Sequence, residues 1–312
     1  MRTLYQVDAF TTTPFTGNPA GVVLAADGLT DTQMQLVARE LNNSETAFVL
    51  PADGPDHDVR VRFFTPTTEV PTCGHATVAA HYARAVEHGL APCTLVQKTG
   101  GGLLQRVDVR VEGDRVRIGM HQGPAEFGPE LDRAQVGRVL RALGAAPADL
   151  AGGGPVQVVS TGHSKVLVGL RDPAAVDALR PDPAALVEVG REVGSNGFFV
   201  FALTGGDSGP LTWSRMFAPA IGIPEDPVTG NGHGPLGAYL VRHGLAPAPG
   251  GRLAFTGRQG VAMGRPGEVQ VSVEPDGDGR PSVSISGDAA VVFRAEVPVV
   301  GPVELVLSPG CP

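Results

Sequence analysis

An α+β chain, mainly sheet with few helices and organised as two similar halves, is what the sequence predicts. Three observations predict it. Short alternating or β-branched runs recur between Gly, Pro, Asp and Asn punctuation; helical periodicity is confined to a few stretches; and four motifs of the first half return in the same order in the second. The 312 residues, 42% hydrophobic and 18% charged, suffice for ordinary cores and match two units at about 150 residues per domain.

The strand runs are 4–9, 21–24, 46–50, 59–64, 107–111 and 116–120. Helical spacing appears where Thr30, Gln33 and Met34 lead into Leu36, Val37 and Leu41, and again over 75–82, 131–143 and 235–243.

Thr16-Gly17-Asn18 is answered by Thr161-Gly162-His163 at an offset of 145, each leading into a Val-rich strand. The run from Ser44-Glu45-Thr46 to Val49 is answered by Ser195-Asn196-Gly197 to Val200 at 151. Arg62-Phe63-Phe64-Thr65-Pro66 returns as Arg215-Met216-Phe217-Ala218-Pro219 at 153, and Pro71-Thr72-Cys73-Gly74 as Pro227-Val228-Thr229-Gly230 at 156. Each match alone is weak, because Gly and Pro punctuate many sheets. Four in one order, with so small a drift, indicate a tandem duplication, with halves 1–119 and 120–312 and C-terminal strands free to cross back to the first. Facing halves wall a cleft, and such interfaces are favoured ligand sites.

The 24 Lys and Arg against 32 Asp and Glu leave a charge of −8, which argues against a broad electrostatic grip on nucleic acid or anionic membrane. Arginine supplies nearly all of the basic residues, since Lys98 and Lys165 are the only lysines; this reads as compositional bias. Cys73, Cys93 and Cys311 are odd in number and widely spaced, as expected of reduced thiols in a cytoplasmic setting. The N-terminus runs straight into a strand pattern without an apolar signal core, and no stretch approaches the ~18 apolar residues of a membrane span. HExxH, GxxxxGK[ST], GxSxG and paired CxxC are all absent, which removes the common zinc, nucleotide, serine-hydrolase and redox templates. Neither metal nor cofactor is expected.

The last repeat pair, Cys73-Gly74-His75-Ala76 and Gly230-Asn231-Gly232-His233, places a small-residue turn directly before a helical pattern. Free N–H groups and positive partial charge at a helix start, with Gly permitting close approach, make each turn a candidate carboxylate or phosphate cradle; an ordinary loop-to-helix connection is the plain alternative. Glu45 stands at the mouth of an apolar strand, where partial burial would let a carboxyl take and return a proton near neutrality; its repeat counterpart, Asn196, cannot titrate. His75 and His233 lie near helix starts, which favour neutral imidazole, although His233 reads as readily as a cap of its own turn. Asp226 could bind a substrate amine or hydroxyl or simply open the turn before Pro227. Cys73 at a helix start would be a reactive thiol if its pKa were depressed, but its counterpart is Thr229, so no symmetric pair of thiols exists.

YQVDAFTTTPFTGNPAGVVL, NNSETAFVL, RFFTPTTEVPTCGHATVAAHY and EDPVTGNGHGPLGAYLV resemble the signature segments of the phenazine-biosynthesis PhzF family. TGHSKVLV, SNGFFVF, RMFAPAIGI and SISGDAAVVFRAE extend the resemblance over nearly the whole chain, which is most like the bacterial YddE-like branch. The resemblance implies a diaminopimelate-epimerase-like fold: two similar domains, each a curled, mostly antiparallel sheet around a central helix, with the active site between them and commonly a homodimer. Epimerases and proline racemases on this fold use a thiol from each half; with Cys73 and Thr229 here, two-thiol racemisation is not expected. The PhzF pattern instead assigns proton transfer to the glutamate of N-S-E-T, here Glu45, assisted by His75 and Asp226, as in the isomerisation of trans-2,3-dihydro-3-hydroxyanthranilate. Where that pattern carries serine after D-P-V-T-G, this chain has Asn231.

The sequence therefore predicts a cofactor-free isomerase acting on a small carboxylate-bearing metabolite. Glu45, His75 and Asp226 are the catalytic candidates, and Asn18, Cys73, Gly74, Gly230, Asn231 and Gly232 the substrate-binding ones. The alternatives are an epimerase or racemase using Glu45 and Cys73 as unlike bases, and a small-molecule-binding protein without turnover.

Overall fold

A computed structural model describes residues 1–206 and 209–298; Cys311 lies outside the described residues. In chain order the elements are β1 (Arg2–Ala9), β2 (Asn18–Val23), α1 (Asp31–Leu41), β3 (Thr46–Pro51), β4 (Val59–Phe64), β5 (Glu69–Val70), α2 (Gly74–His88), β6 (Cys93–Thr99), β7 (Leu104–Glu112), β8 (Arg115–Pro124) and β9 (Glu126–Glu130). There follow α3 (Arg133–Leu143), β10 (Gln157–Ser160), β11 (Ser164–Leu170), α4 (Pro173–Asp177), α5 (Pro183–Val193), β12 (Phe198–Leu203), β13 (Thr212–Ala218), β14 (Ile223–Asp226), α6 (Gly230–Arg242), β15 (Leu253–Gln259), β16 (Gly267–Pro275) and β17 (Pro281–Val297).

One pairing scheme is used twice. β1 pairs antiparallel with β2, β2 parallel with β3, β3 antiparallel with β4, and β4 antiparallel with β5 and parallel with β6, which opens the meander β6–β7–β8. β10 to β17 repeat these relationships in the same order. β17 also joins the two patterns, since its first part pairs with β8 and its last part, to Val297, pairs with β1. The last described strand therefore returns to the first.

Local chemistry explains where most helices begin. Thr30 and Asp132 cap α1 and α3 through capping boxes with Gln33 and Gln135, while Asp182 caps α5 with Pro183 in its first turn. The periodicity reading missed α5, although its Asp-Pro start signal is present. α6 begins at Gly230, five residues before the predicted 235: its Gly-rich first turn has poor intrinsic propensity, but burial of nearly every residue from Gly230 to Leu240 overrides it.

α2 and α6 lie within the curled sheet and share its main core, where Ala76, Ala79, Ala80 and Ala83 let α2 approach the strands closely. α3, α4 and α5 cover the outside of the second half, and α1 that of the first. The Arg-Phe motif is structural. Arg62 grips Glu69 with two hydrogen bonds of 2.8 and 2.6 Å and lies over Phe64; Arg215 grips Glu225 with two of 2.8 Å and lies over Phe217. Each clasp ties β4 or β13 to the short strand leading into a central helix.

Strand register corrects one assignment. Offsets of 145 and 153 carry Gly21 onto Val166 and Phe64 onto Phe217, and the pairings of those residues carry Thr46 onto Phe198. The counterpart of Glu45 is therefore Gly197, and Asn196 corresponds to Ser44. Face alternation agrees: Ala47 and Phe199 both belong to the inner core, so Glu45 and Gly197 share that side and Asn196 does not.

Candidate active site

The two central helices start without side-chain caps. Cys73 and Thr229 occupy the cap positions in extended conformation, and neither side chain accepts from the first turn. The Thr229 hydroxyl is instead engaged as a donor to Asp226 Oδ2. The N–H groups of Gly74 and His75 at one start, and of Gly230 and Asn231 at the other, thus carry no side-chain cap and share the positive partial charge of a helix start.

At the start of α2, β3 delivers Glu45 and the turn delivers Cys73 and His75. Glu45 Oε2 lies 3.5 Å from His75 Nε2 and is buried without a hydrogen-bond partner. His75 Nε2 is 3.3 Å from Ser44 Oγ, and its Nδ1 is 3.5 Å from Cys73 Sγ. Burial pushes the Glu45 carboxyl above the usual carboxylate range, with Ser44 and Cys73 partly opposing. Burial lowers His75, with the Asp226 charge opposing. The pair therefore favours neutral acid and neutral imidazole.

Cys73 differs from the reactive-thiol expectation. Burial, then the neighbouring Glu45, pushes its thiol well above the ordinary value, outweighing the helix start. Glu45, Cys73 and His75 bring one donor atom each within 4.8 Å of one another, the group among the described residues that could hold a metal ion.

The other wall comes from the second half. Asp226, at the end of β14, accepts from Asn18 Nδ2 at 2.8 Å across 208 residues of chain. Asn18 Nδ2 also donates to Val228 O at 2.8 Å, so its N–H groups hold the opposite turn and only Oδ1, buried and unpartnered, is left over. Gln259 braces the same turn: its Nε2 donates to Asp226 O at 2.7 Å and its Oε1 accepts from Thr229 N at 3.0 Å. Burial raises the Asp226 carboxyl, and His75, Thr229 and Asn18 pull it down.

The glycines divide. A side chain at Gly74 would meet open space, whereas one at Gly230 would press on Ile285 Cδ1 and one at Gly232 on the Phe199 ring. Gly74 thus borders room for a ligand, while Gly230 and Gly232 admit packing. Asn231 Oδ1 accepts from Gln122 Nε2 at 2.8 Å, and Gln122 in turn accepts from Thr161. His233 is fully buried, with Nδ1 donating to Thr229 O, Nε2 3.4 Å from Ser214 Oγ and a pKa lowered by burial to about 4; it caps its own turn.

Glu45, Cys73, His75 and Gly74 therefore meet Asp226 and Asn18 around one centre. The motif reading passed over Ser44, Gln122, Thr229 and Gln259 as site residues. Ser44 and Thr229 lie inside segments already singled out.

The fold is of the diaminopimelate-epimerase-like class, and at the start of one of its two central helices a buried carboxyl stands beside a histidine. The chain belongs to the phenazine biosynthesis-like protein family, whose pattern it matches over residues 7–295. An uncharacterised isomerase of Clostridium acetobutylicum is 51% identical, and the uncharacterised isomerase YddE of Escherichia coli K12 49%; each alignment covers 94% of this chain and 97% of the relative. Trans-2,3-dihydro-3-hydroxyanthranilate isomerase of Pseudomonas aeruginosa is 34% identical over 91% of this chain and 95% of its own. Among solved structures, a Bacillus anthracis PhzF-family protein superposes with a TM-score of 0.85 at 30% identity, covering 96% and 99% of the two chains. A hydroxyproline epimerase from Agrobacterium vitis, at 13% identity and a TM-score of 0.62 over 94% and 91%, shares the fold. Among the described residues no helix is long and apolar enough to cross a membrane.

Proposed function

We propose that this isomerase moves a proton between carbons of a small carboxylate-bearing metabolite, with Glu45 withdrawing and redelivering it. One observation carries the reading: Glu45 Oε2 is buried, lacks a partner and lies 3.5 Å from His75. A carboxyl held above its ordinary range is matched to taking and returning a proton near neutrality. His75 orients it, Asp226 holds the facing turn and engages a polar substituent, and the first turns of α2 and α6 bind carboxylate or developing enolate charge through backbone N–H groups. The side chains present supply a base, an acid and anion stabilisation, so proton transfer requires no cofactor in this scheme.

The P. aeruginosa relative acts, by its name, on a dihydrohydroxyanthranilate; that compound is the first to offer. The purified protein would be incubated in D2O with it and with a panel of amino, hydroxy and cyclic carboxylates, alongside Glu45→Gln, and deuterium incorporation followed by NMR. Exchange into one compound that falls roughly 10²- to 10⁴-fold in the variant is expected. Undiminished exchange in Glu45→Gln would remove the glutamate from the mechanism.

A further inference from the structure

Lys165 takes no part in the scheme above, yet it is buried within the second half, 4% exposed. It is the second residue of β11. Leu167, two residues on, belongs to the core around α6, whereas Val166 and Val168 face the outer core; alternation puts the Lys165 side chain on the α6 side. Gly197 makes room for it, since a Cβ there would stand 2.7 Å from Lys165 Cδ and 2.8 Å from Met216 Cε. Met216 pairs across the sheet with Asp226. A side chain at position 197 would thus meet both the Lys165 stem and Met216, whose strand partner is Asp226.

The ammonium is poorly satisfied there. It has three N–H donors and gives one to its neighbour's carbonyl, Ser164 O, at 3.0 Å. Among the described residues it forms no ion pair with a carboxylate. Burial lowers its pKa to about 8, and Asp226 is the charge that opposes this; His163 is itself lowered in part by the lysine. A buried cation without an anion is costly, and such groups are normally paired. Register adds the comparison: Lys165 corresponds to Ala20, and Gly197 to Glu45. Where the first half sets a carboxylate beside an alanine, the second sets an ammonium over a glycine.

We propose that Lys165 is a substrate-binding residue, its ammonium receiving the substrate's carboxylate beside the start of α6 while Glu45 works on the C–H from the opposite half. The enzyme would then require an anionic group at a set distance from the exchanging carbon. This rests on the isomerase reading above and names what selects its substrate.

Only two lysines occur in the chain, so protein grown with lysine ¹³C-labelled at Cε shows Lys98 and Lys165 alone, and Lys165→Met assigns them. The labelled wild type would be titrated with pH alone, then with dihydrohydroxyanthranilate, with 3-hydroxyanthranilate, with each carboxylate of the panel, and with the corresponding amides. At least one carboxylate should raise the Lys165 midpoint by about one pH unit or more, a tenfold preference for the charged form, while its amide does not and Lys98 stays in place. Lys165→Met should weaken that carboxylate roughly ten- to hundredfold in KM with a smaller change in kcat, and Lys165→Arg should recover part of the loss. If a compound that exchanges deuterium leaves the Lys165 signal unmoved, or no carboxylate moves it, the assignment is overturned. A shifted Lys165 signal without exchange in any compound would keep this binding role and overturn the proton-transfer reading instead.

Discussion

The starts of α2 and α6 are equivalent positions in a repeated frame, and they have diverged. Both follow a short strand clasped by an Arg–Glu pair, and both lack side-chain caps. At α2 the surrounding groups titrate and Gly74 faces open space; at α6 the glycines are filled by Ile285 and Phe199, Asn231 is bonded to Gln122, and the position equivalent to Glu45 is Gly197. The repeated frame supplies two helix starts without side-chain caps, and Glu45, the base proposed above, stands at one of them.

The largest test of that asymmetry compares Glu45→Gln with Cys73→Ala. The first should cost roughly 10²- to 10⁴-fold in exchange; the second should cost far less, because a thiol held protonated is a poor base. Equal losses would mean two unlike bases and an epimerase.

The glycines should separate next. Gly232→Ala is expected to lose about 1–3 kcal/mol of stability through overpacking against Phe199, read as a lower denaturant midpoint at constant slope. Gly74→Ala should leave stability unchanged and raise KM instead. A destabilised Gly74→Ala would show that its space is not a ligand's.

Acidity gives a third contrast. Burial raises the folded-state pKa of Glu45 and Asp226, so between the ordinary and the raised values the folded chain binds more protons than the unfolded one. Their contribution is most favourable below the ordinary carboxylate range and declines as pH rises through that window, with the penalty complete above the raised values. Glu45→Gln should therefore be at least as stable as the parent at neutral pH, with a flatter decline, in denaturant melts across that window. A variant less stable than the parent at neutral pH would contradict a carboxyl whose burial outweighs its hydrogen bonds.

The smallest effect belongs to Asn196→Ala. Lying just before β12, in step with its outward-packed Phe198 and Val200, it should leave exchange unaltered and stability within about 0.5 kcal/mol. A loss of exchange would restore Asn196 as the partner of Glu45 and break the register argument.

Much of this was legible in the chain. The repeat, the strand runs and the starts of α1 and α3 follow from period and turn chemistry, which are local. Asn196 was mispaired because a one-residue slip between repeats is invisible without strand partners, yet reverses the face of every side chain. The start of α6 was misplaced because Gly-Asn-Gly-His-Gly has weak helical propensity, and tertiary burial overrules that.

By itself the sequence determined the duplicated order of motifs, a glutamate before an apolar strand and two glycine turns before helices, since these depend on neighbours along the chain. Only the tertiary structure decided that Asn18 holds Asp226, that the Cys73 thiol stays protonated, and that Lys165 lies buried on the α6 side. Those outcomes depend on desolvation and on partners as far as 208 residues away, and both exist only once the sheet has closed around its helices.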